Sequence, residues 1–231
     1  MKLNKKFNYP PCSRSSTDGL RHYDIGRQKL PSVTTILQAT MPEEKKQKLA
    51  EWRERVGVKK ADEIRDSAAT RGTAMHLHLE KYIEGKGYLD MTEMGQVSRN
   101  MAQEIIDKGL KEQLTEVWGS EVTLYYPDLY AGATDVVGIY KGRESILDFK
   151  QSNKLKRREW IEDYCIQLGA YAMAHNYMHK TKIDQGVILM CTPAQEFQCF
   201  IVEGKEFINY QHQFLKRVDQ YYGQIKNTRS L

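Results

Sequence analysis

The sequence predicts a mixed α/β fold, of the α+β kind, in which a central mixed sheet is flanked by helices and preceded by a helical elaboration. Apolar residues recur with a helical period over much of residues 43–114, whereas from 116 to 150 they alternate with polar residues. Val, Ile, Tyr and Thr are enriched in that second stretch, as is typical of strands. The chain has 231 residues, 40% of them hydrophobic, so one core can organise a single domain.

The first part of the chain is expected to be an arm followed by helices. Residues 1–30 are interpreted as an irregular N-terminal arm, because prolines and glycines punctuate a polar stretch. Residues 31–115 are expected to be mainly helical, starting at Ser and Thr residues that suit a helix N-terminus. Further helices are predicted from Pro42, over about 58–83 and over about 91–114.

The rest of the domain, which is expected to span 31–231, alternates strands and helices. Three successive strands, paired as antiparallel hairpins, are predicted within 116–150. A helix, two strands and a closing helix are then predicted at 158–178, 185–192, 196–203 and 206–225. The sheet and its helix thus occupy 116–203, and a C-terminal helix occupies 204–231.

Composition limits the classes of function. The net charge of +5 is compatible with a polyanionic partner but does not establish one. No apolar run approaches the roughly 20 residues that span a bilayer, so no membrane role is expected. The cysteines form no C-x-x-C pair, which excludes a zinc ribbon, and no signal peptide supports a disulfide framework. They are Cys12, Cys165, Cys191 and Cys199.

Asp135 is an acid on the otherwise largely apolar strand YAGATDVVGIY (130–140). Burying a carboxylate there costs several kcal/mol unless a cation or hydrogen-bond donors compensate. The position therefore calls for a partner. A simple salt bridge is the alternative to a functional role.

Asp148 and Lys150 lie two residues apart on the next strand, RESILDFK (143–150), and so share a face. If this strand pairs with the preceding one, both groups converge on Asp135. Carboxylates in such proximity repel unless a divalent cation lies between them, and oxygen ligands favour Mg²⁺ or Mn²⁺. Lys150 would then hold a water and stabilise the charge of a phosphoryl transition state. An ion pair on a solvated face is the alternative.

Helices on either side of the strands contribute further candidates. His76 and Glu80 lie four residues apart on one helix face, although a lone helical histidine is often structural. Arg71 precedes a glycine that favours close backbone approach to a phosphate or another element. Gln167 and Tyr171 share a face of the helix that follows the strands.

A basic loop, KLKRREW (154–160), lies between the last of these strands and that helix. Its Lys154, Lys156 and Arg157 are candidates for following a phosphodiester backbone. A solvated charged loop is the alternative for this segment taken alone.

Four short motifs together resemble one nuclease family. GATD (132–135), ILDFK (146–150), QLGAY (167–171) and RGTAMH (71–76) resemble, in combination, the PD-(D/E)XK nuclease superfamily with its restriction-endonuclease-like core, in the RecB-like exonuclease branch. Residues 21–42 and 148–154 are similar to phage-encoded relatives of the mitochondrial genome maintenance exonuclease family. The resemblance extends over about 21–203.

The resemblance implies roles for individual residues. Asp135, Asp148 and the Phe149 carbonyl would bind Mg²⁺ or Mn²⁺, with His76 completing the metal site, and Lys150 would be the catalytic lysine. Gln167 and Tyr171 would position Lys150 or the DNA strand. Nucleic-acid contacts are expected from Arg71, Ser32 and Thr34, and an accessory role from Glu80.

Some RecB-type nucleases also carry an iron–sulfur cluster, with one cysteine before the Q-x-x-x-Y helix and three after it. Here Cys165 falls inside that helix, and only Cys191 and Cys199 follow it. No iron–sulfur cluster is therefore expected.

The expected function is a metal-dependent DNA exonuclease that prefers single-stranded ends and hydrolyses phosphodiester bonds with a metal-activated water. A structure-specific or nicking endonuclease on the same fold is the first alternative, and a non-catalytic nucleic-acid-binding protein is the second. The resemblance implies a cytoplasmic location in a bacterial or phage-infected cell. A mitochondrial location remains an alternative, because the N-terminal segment is basic and free of acids.

Overall fold

The computed structural model describes residues 1–17 and 20–229. Its α-helices are α1 (Val33–Ala39), α2 (Glu43–Val56), α3 (Val58–Ile83), α4 (Glu93–Ile105), α5 (Glu162–His179) and α6 (Gly204–Arg229). A single π-helical stretch, Ile106–Leu110, continues α4, and a 3-10 turn, Arg158–Trp160, precedes α5. The predicted end of the C-terminal helix, residues 230–231, lies outside the described residues.

The strands form two sheets. They are β1 (Lys2–Leu3), β2 (Ser13–Thr17), β3 (Leu20–Ile25), β4 (Gln28–Pro31), β5 (Leu114–Tyr126), β6 (Tyr130–Tyr140), β7 (Arg143–Gln151), β8 (Gln185–Cys191) and β9 (Phe197–Glu203). The larger sheet has the order β1-β5-β6-β7-β8-β9, and the smaller one the order β2-β3-β4. Strands β5, β6 and β7 pair antiparallel, as predicted. β8 then pairs parallel to β7 after the α5 crossover, so the predicted central mixed sheet is confirmed.

The larger sheet separates two hydrophobic clusters. Neighbouring residues on one strand, such as Val136 and Val137, belong to different clusters, because successive side chains leave opposite faces of a strand. One cluster takes in Leu168 of α5 and Phe214 of α6, and the other takes in Leu79 of α3. The sheet is therefore covered by α5 and α6 on one face and by α3 and α4 on the other.

Helix α1 begins where the sequence predicts. The Ser32 hydroxyl accepts a hydrogen bond from the Thr35 backbone N–H at 2.9 Å, which is an N-cap. Helix α2 begins after Pro42, also as predicted, but it contributes no buried residue to the core. Within the described residues, none of the helices is both long enough and apolar enough to cross a membrane.

The expectation of an irregular arm over residues 1–30 is wrong. β2, β3 and β4 form an antiparallel sheet, and β1 pairs with β5. Tyr23 and Leu30 are buried against Ala131 of β6. The strand SRSST is short and polar, so its sequence carries no alternating apolar signal. Pairing with β3, and burial of β3 on β6, supply the stability that its own residues lack.

Gly138 of β6 provides a test of how closely β5 and β6 pack. A Cβ atom there would overlap the backbone carbonyl oxygen of Glu116, which cannot move away as a side chain does. Gly138→Ala is expected to lower the free energy of unfolding by about 1–3 kcal/mol or more, measured by urea denaturation. The control is Gly223→Ala in α6, where the added Cβ meets no atom. Helix propensity there raises stability by about 0.4–1 kcal/mol. Equal stability of the two variants would contradict this account.

Candidate active site

The predicted site residues line a cavity of about 670 Å³ between the sheet, α3, α5 and the small N-terminal sheet. We call it the catalytic cavity. Its lining residues are Arg14, Arg21, Tyr23, Ser32, Thr34, Gly72, Thr73, His76, Leu77, Glu80, Glu121, Gly132, Ala133, Asp135, Asp148, Lys150, Tyr164, Gln167 and Tyr171.

Asp135 connects three elements at the base of this cavity. Its Oδ2 accepts a hydrogen bond from the Phe149 backbone N–H of β7 at 2.5 Å, and its Oδ1 lies 3.3 Å from the Nδ1 of His76 on α3. The carboxylate is almost fully buried. These contacts are the compensation that a buried acid on an apolar strand requires.

Asp148 and Lys150 form the ion pair that their spacing on β7 predicts. On its other side, Asp148 Oδ1 accepts a 3.5 Å contact from the Gln167 amide, and the same amide donates to the Tyr171 hydroxyl at 3.0 Å. The motif glycine Gly132 makes room for this arrangement, since a Cβ there would lie 2.6 Å from the Tyr171 ring. α5 therefore fixes the carboxylate of Asp148 through two side chains one helical turn apart.

Burial and charge act in opposite directions on the ionisable groups. Burial alone would lower the pKa of His76, but the negative charge of Asp135 and the hydrogen bond to it raise that pKa to about 9. Burial raises the pKa of Asp148 despite the nearby Lys150, and the charge of Asp135 adds to the increase. The pKa of Lys150 is raised: burial disfavours its charged form, but Asp148 and Asp135 outweigh that effect. Lys150 is thus held as a cation.

Glu121 is a member of the site that sequence reasoning missed. Among the described residues, ligand atoms of His76, Glu121 and Asp135 all lie within 4.8 Å of one another. Burial and the charge of Asp135 raise the pKa of Glu121 to about 7. Glu121 has a φ of +52°, a left-handed conformation that is unusual for a non-glycine residue inside a strand. No sequence pattern predicts that conformation. Glu121 is itself solvent-exposed, as a glutamate on an alternating strand ordinarily is, so nothing in the sequence sets it apart.

The predicted metal ligands thus separate into two groups. His76 and Asp135 lie with Glu121 in the compact cluster, whereas Asp148 is engaged by Lys150 and Gln167. An imidazole nitrogen and two carboxylate oxygens at these separations fit one divalent cation. Asp148 lines the same cavity and interacts electrostatically with Asp135.

Other predicted contacts take different positions. Ser32 lines the cavity together with Thr34 and Glu80, but its hydroxyl is occupied as the cap of α1. Arg71 lies outside the lining and donates hydrogen bonds to Gln151 and Asn153. The basic loop lies to one side, since the three of its cationic residues that were predicted to bind nucleic acid do not line the catalytic cavity. They are Lys154, Lys156 and Arg157.

The small sheet adds cations that sequence reasoning also missed. Arg14 of β2 and Arg21 of β3 line the cavity. Within residues 1–17 and 20–229, neither guanidinium forms an ion pair with a carboxylate. Because residues 1–30 were interpreted as an irregular arm, these arginines were not predicted to line the cavity. An unstructured segment gives its side chains no fixed position.

Comparisons with known proteins find exonucleases. No protein-family model matches the chain. Mitochondrial genome maintenance exonuclease 1 from Mus musculus is 26% identical, over 97% of this chain and 68% of the relative. Its counterpart from Xenopus tropicalis is 28% identical, over 70% of this chain and 48% of the relative. The Homo sapiens protein is 23% identical, over 88% of this chain and 61% of the relative.

The chain is similar to these exonucleases over 70–97% of its own length. It spans from about half to two thirds of the length of these curated relatives. A solved structure of an exonuclease candidate from Eubacterium rectale has the same fold, with a TM-score of 0.50 and 14% identity over 69% of this chain and 68% of that one. The family resemblance predicted from the four motifs is confirmed.

The contact between His76 and Asp135 predicts how the imidazole titrates. In the metal-free protein, His76 is expected to lose its proton near pH 9. An NMR titration of the imidazole resonances measures this midpoint. Its contribution to stability is complete below the unfolded pKa of about 6.5 and is lost as the pH rises through 9. Asp135→Asn removes the charge that raises this pKa, so the midpoint should fall by at least about one unit. A midpoint at or below about 6.5 in the unaltered chain would show that the two groups are not in contact.

Proposed function

We propose that this protein is a metal-dependent DNA exonuclease that hydrolyses phosphodiester bonds in the catalytic cavity and prefers single-stranded ends. The observation that carries the proposal is the convergence of His76, Asp135, Asp148 and Lys150 on one cavity. The similarity of the chain to mitochondrial genome maintenance exonucleases supports it. In the reaction, a water oxygen bonds to phosphorus as the ester P–O bond breaks, leaving one phosphate end and one hydroxyl end.

The donor set supports Mg²⁺ or Mn²⁺ as the cofactor. His76, Glu121 and Asp135 would hold the ion. The family resemblance adds Asp148, which lines the same cavity, and the Phe149 carbonyl. When bound, a divalent ion lowers the pKa of a coordinated water and places positive charge beside the phosphate. The negative charge of Asp135 disfavours ionisation of both Glu121 and Asp148. A divalent cation beside Asp135 would relieve that repulsion.

Lys150 acts as a fixed cation in this proposal. Its pKa is raised, so it does not serve as a general base at neutral pH. Asp148 holds its ammonium group on one side, and the Tyr164 ring lies 5.1 Å from it on another. From there it orients the attacking water and stabilises the negative charge that develops on the phosphoryl oxygens. Gln167 and Tyr171 are positioning residues, because they act through Asp148.

Cationic groups outside the metal centre support a nucleic-acid substrate. Arg14 and Arg21 lie on the small-sheet side of the cavity, beside Thr34. Arginine guanidinium groups bind phosphates through paired hydrogen bonds. Lys154 and Lys156 line an adjoining cavity that shares Tyr164 with this one. Positive charge from two separate elements near the acidic centre suits a polyanionic substrate.

Replacement of Lys150 separates catalysis from binding. Lys150→Ala is expected to reduce turnover of single-stranded DNA by at least about 100-fold, since one electrostatic stabiliser of the transition state is worth that much. Affinity for the DNA should change little, because the surrounding arginines and lysines remain. The measurement is single-turnover cleavage beside equilibrium binding in EDTA. Lys205→Ala, an exposed lysine of α6, is the matched control. Turnover by Lys150→Ala near that of the control would contradict the assigned role.

Substrate ends provide the second test. End-labelled linear strands should be degraded in Mg²⁺ or Mn²⁺ and left intact in EDTA, whereas a covalently closed single-stranded circle should resist. Product sizes from each labelled end report whether cleavage begins at an end. Rapid cleavage of the circle would contradict the exonuclease proposal and indicate an endonuclease on the same fold. Binding without cleavage under every metal condition would indicate a nucleic-acid-binding protein without activity.

A further inference from the structure

A second cavity, of about 600 Å³, adjoins the catalytic cavity at the start of α5. We propose that it binds the unpaired base of the nucleotide next to the cleaved phosphodiester; we call it the base cavity. The inference rests on the proposed function and adds to it a specific subsite. Its volume falls within the range of small-molecule sites, about 300–1,000 Å³.

Aromatic side chains from separate elements line the base cavity. Trp52 comes from α2, Trp160 from the 3-10 turn before α5, and Tyr164 from the first turn of α5. Trp160 is 58% exposed, an unusual position for so large an apolar group in a soluble domain. Exposed aromatic rings beside a nucleic-acid site are surfaces on which bases stack, and every base offers a π face.

The remaining lining is polar and positively charged. Gln151 and Asn153 use their side-chain oxygens to accept hydrogen bonds from Arg71, which directs their amide N–H groups elsewhere. These N–H groups find no acceptor in the part of the chain that the structure describes. Lys154 and Lys156 form no ion pair with any described carboxylate. A nucleotide combines the features that match this lining: a flat ring, base-edge acceptors and a phosphate.

Tyr164 connects the two cavities. It lines both of them, and its ring lies 5.1 Å from the amine of Lys150. The loop that forms the far wall is held in place, because the Lys156 N–H donates to Gln198 Oε1 at 2.7 Å and Gln198 Nε2 donates to the Lys156 carbonyl at 2.9 Å. A phosphate beside Lys150 would therefore have its neighbouring base at the base cavity, which is already formed.

A base can enter this cavity only when it is not paired. The base cavity thus gives a physical reason for the preference for single strands, since a duplex keeps both faces of each base stacked. A base paired in a duplex would first have to leave the stack, at a cost of a few kcal/mol.

The test measures binding in EDTA, so that it does not depend on cleavage. A short fluorescein-labelled oligothymidylate is titrated with the full chain and with Trp160→Ala, Trp160→Phe and Tyr177→Ala. Trp160→Ala should weaken binding by roughly 5- to 150-fold, the loss expected when one base loses its aromatic partner. Trp160→Phe should restore most of the affinity. Tyr177 is 44% exposed and lies outside both cavities, so Tyr177→Ala should bind normally.

A strand made only of abasic deoxyribose phosphates completes the design, because it carries the charge without the bases. The unaltered chain and Trp160→Ala should bind this strand equally. Equal affinity of the two for oligothymidylate would overturn the base cavity, and so would a deficit of Trp160→Ala that persists on the abasic strand. If Trp160→Ala weakens binding to oligothymidylate but the unaltered chain cleaves no DNA with any metal, the base-cavity proposal stands and the exonuclease proposal is rejected.

Discussion

The burial of Asp135 is the constraint on which the rest of this site depends. A carboxylate at the middle of a sheet is tolerated only because a backbone N–H of the neighbouring strand and an imidazole of α3 meet its two oxygens. The N–H contact joins β7 to β6 where Asp148 and Lys150 lie near Asp135, and the imidazole contact joins α3 to the same point. Apolar side chains such as Leu79 supply the rest of the packing of α3 on the sheet. One buried carboxylate therefore connects three elements.

The arrangement of the cavity follows from this centre. Negative groups lie at its base, and cations from the small sheet and from the basic loop lie around it. In the proposed function, these cations attract a polyanion, and a divalent ion would make the acidic base compatible with a phosphate. The proposed base cavity extends the same surface by one nucleotide, with aromatic rings in place of charge. The proposal thus assigns phosphate recognition, hydrolysis and the exclusion of paired bases to adjoining parts of one surface.

Much of the fold can be predicted from the sequence, because its long elements have strong periodic patterns. β5 to β9 and α3, α5 and α6 fall close to their predicted ranges. The motif residues can also be predicted, because an acid on an apolar strand requires a partner and the next strand carries an acid and a lysine on one face. Chain position alone brings Asp148 near Lys150, and strand pairing brings both near Asp135.

The parts of the structure that could not be predicted from the sequence depend on tertiary contacts. The strands of residues 1–30 are stable only through pairing and through Ala131, so Arg14 and Arg21 could not be placed. The same holds for the base cavity, whose Trp52 and Trp160 are more than one hundred residues apart. Glu121 depends on a local backbone conformation that an ordinary β propensity does not reveal.

The left-handed backbone at Glu121 has a consequence for how this protein can change. A glycine or an asparagine adopts that conformation at lower cost than a glutamate does. Substitutions that relieve the strain would therefore stabilise the fold while they remove a carboxylate from the candidate metal-binding cluster. Selection for stability favours a glycine or an asparagine at this position, whereas selection for activity favours the glutamate. A glutamate maintained there would therefore indicate function.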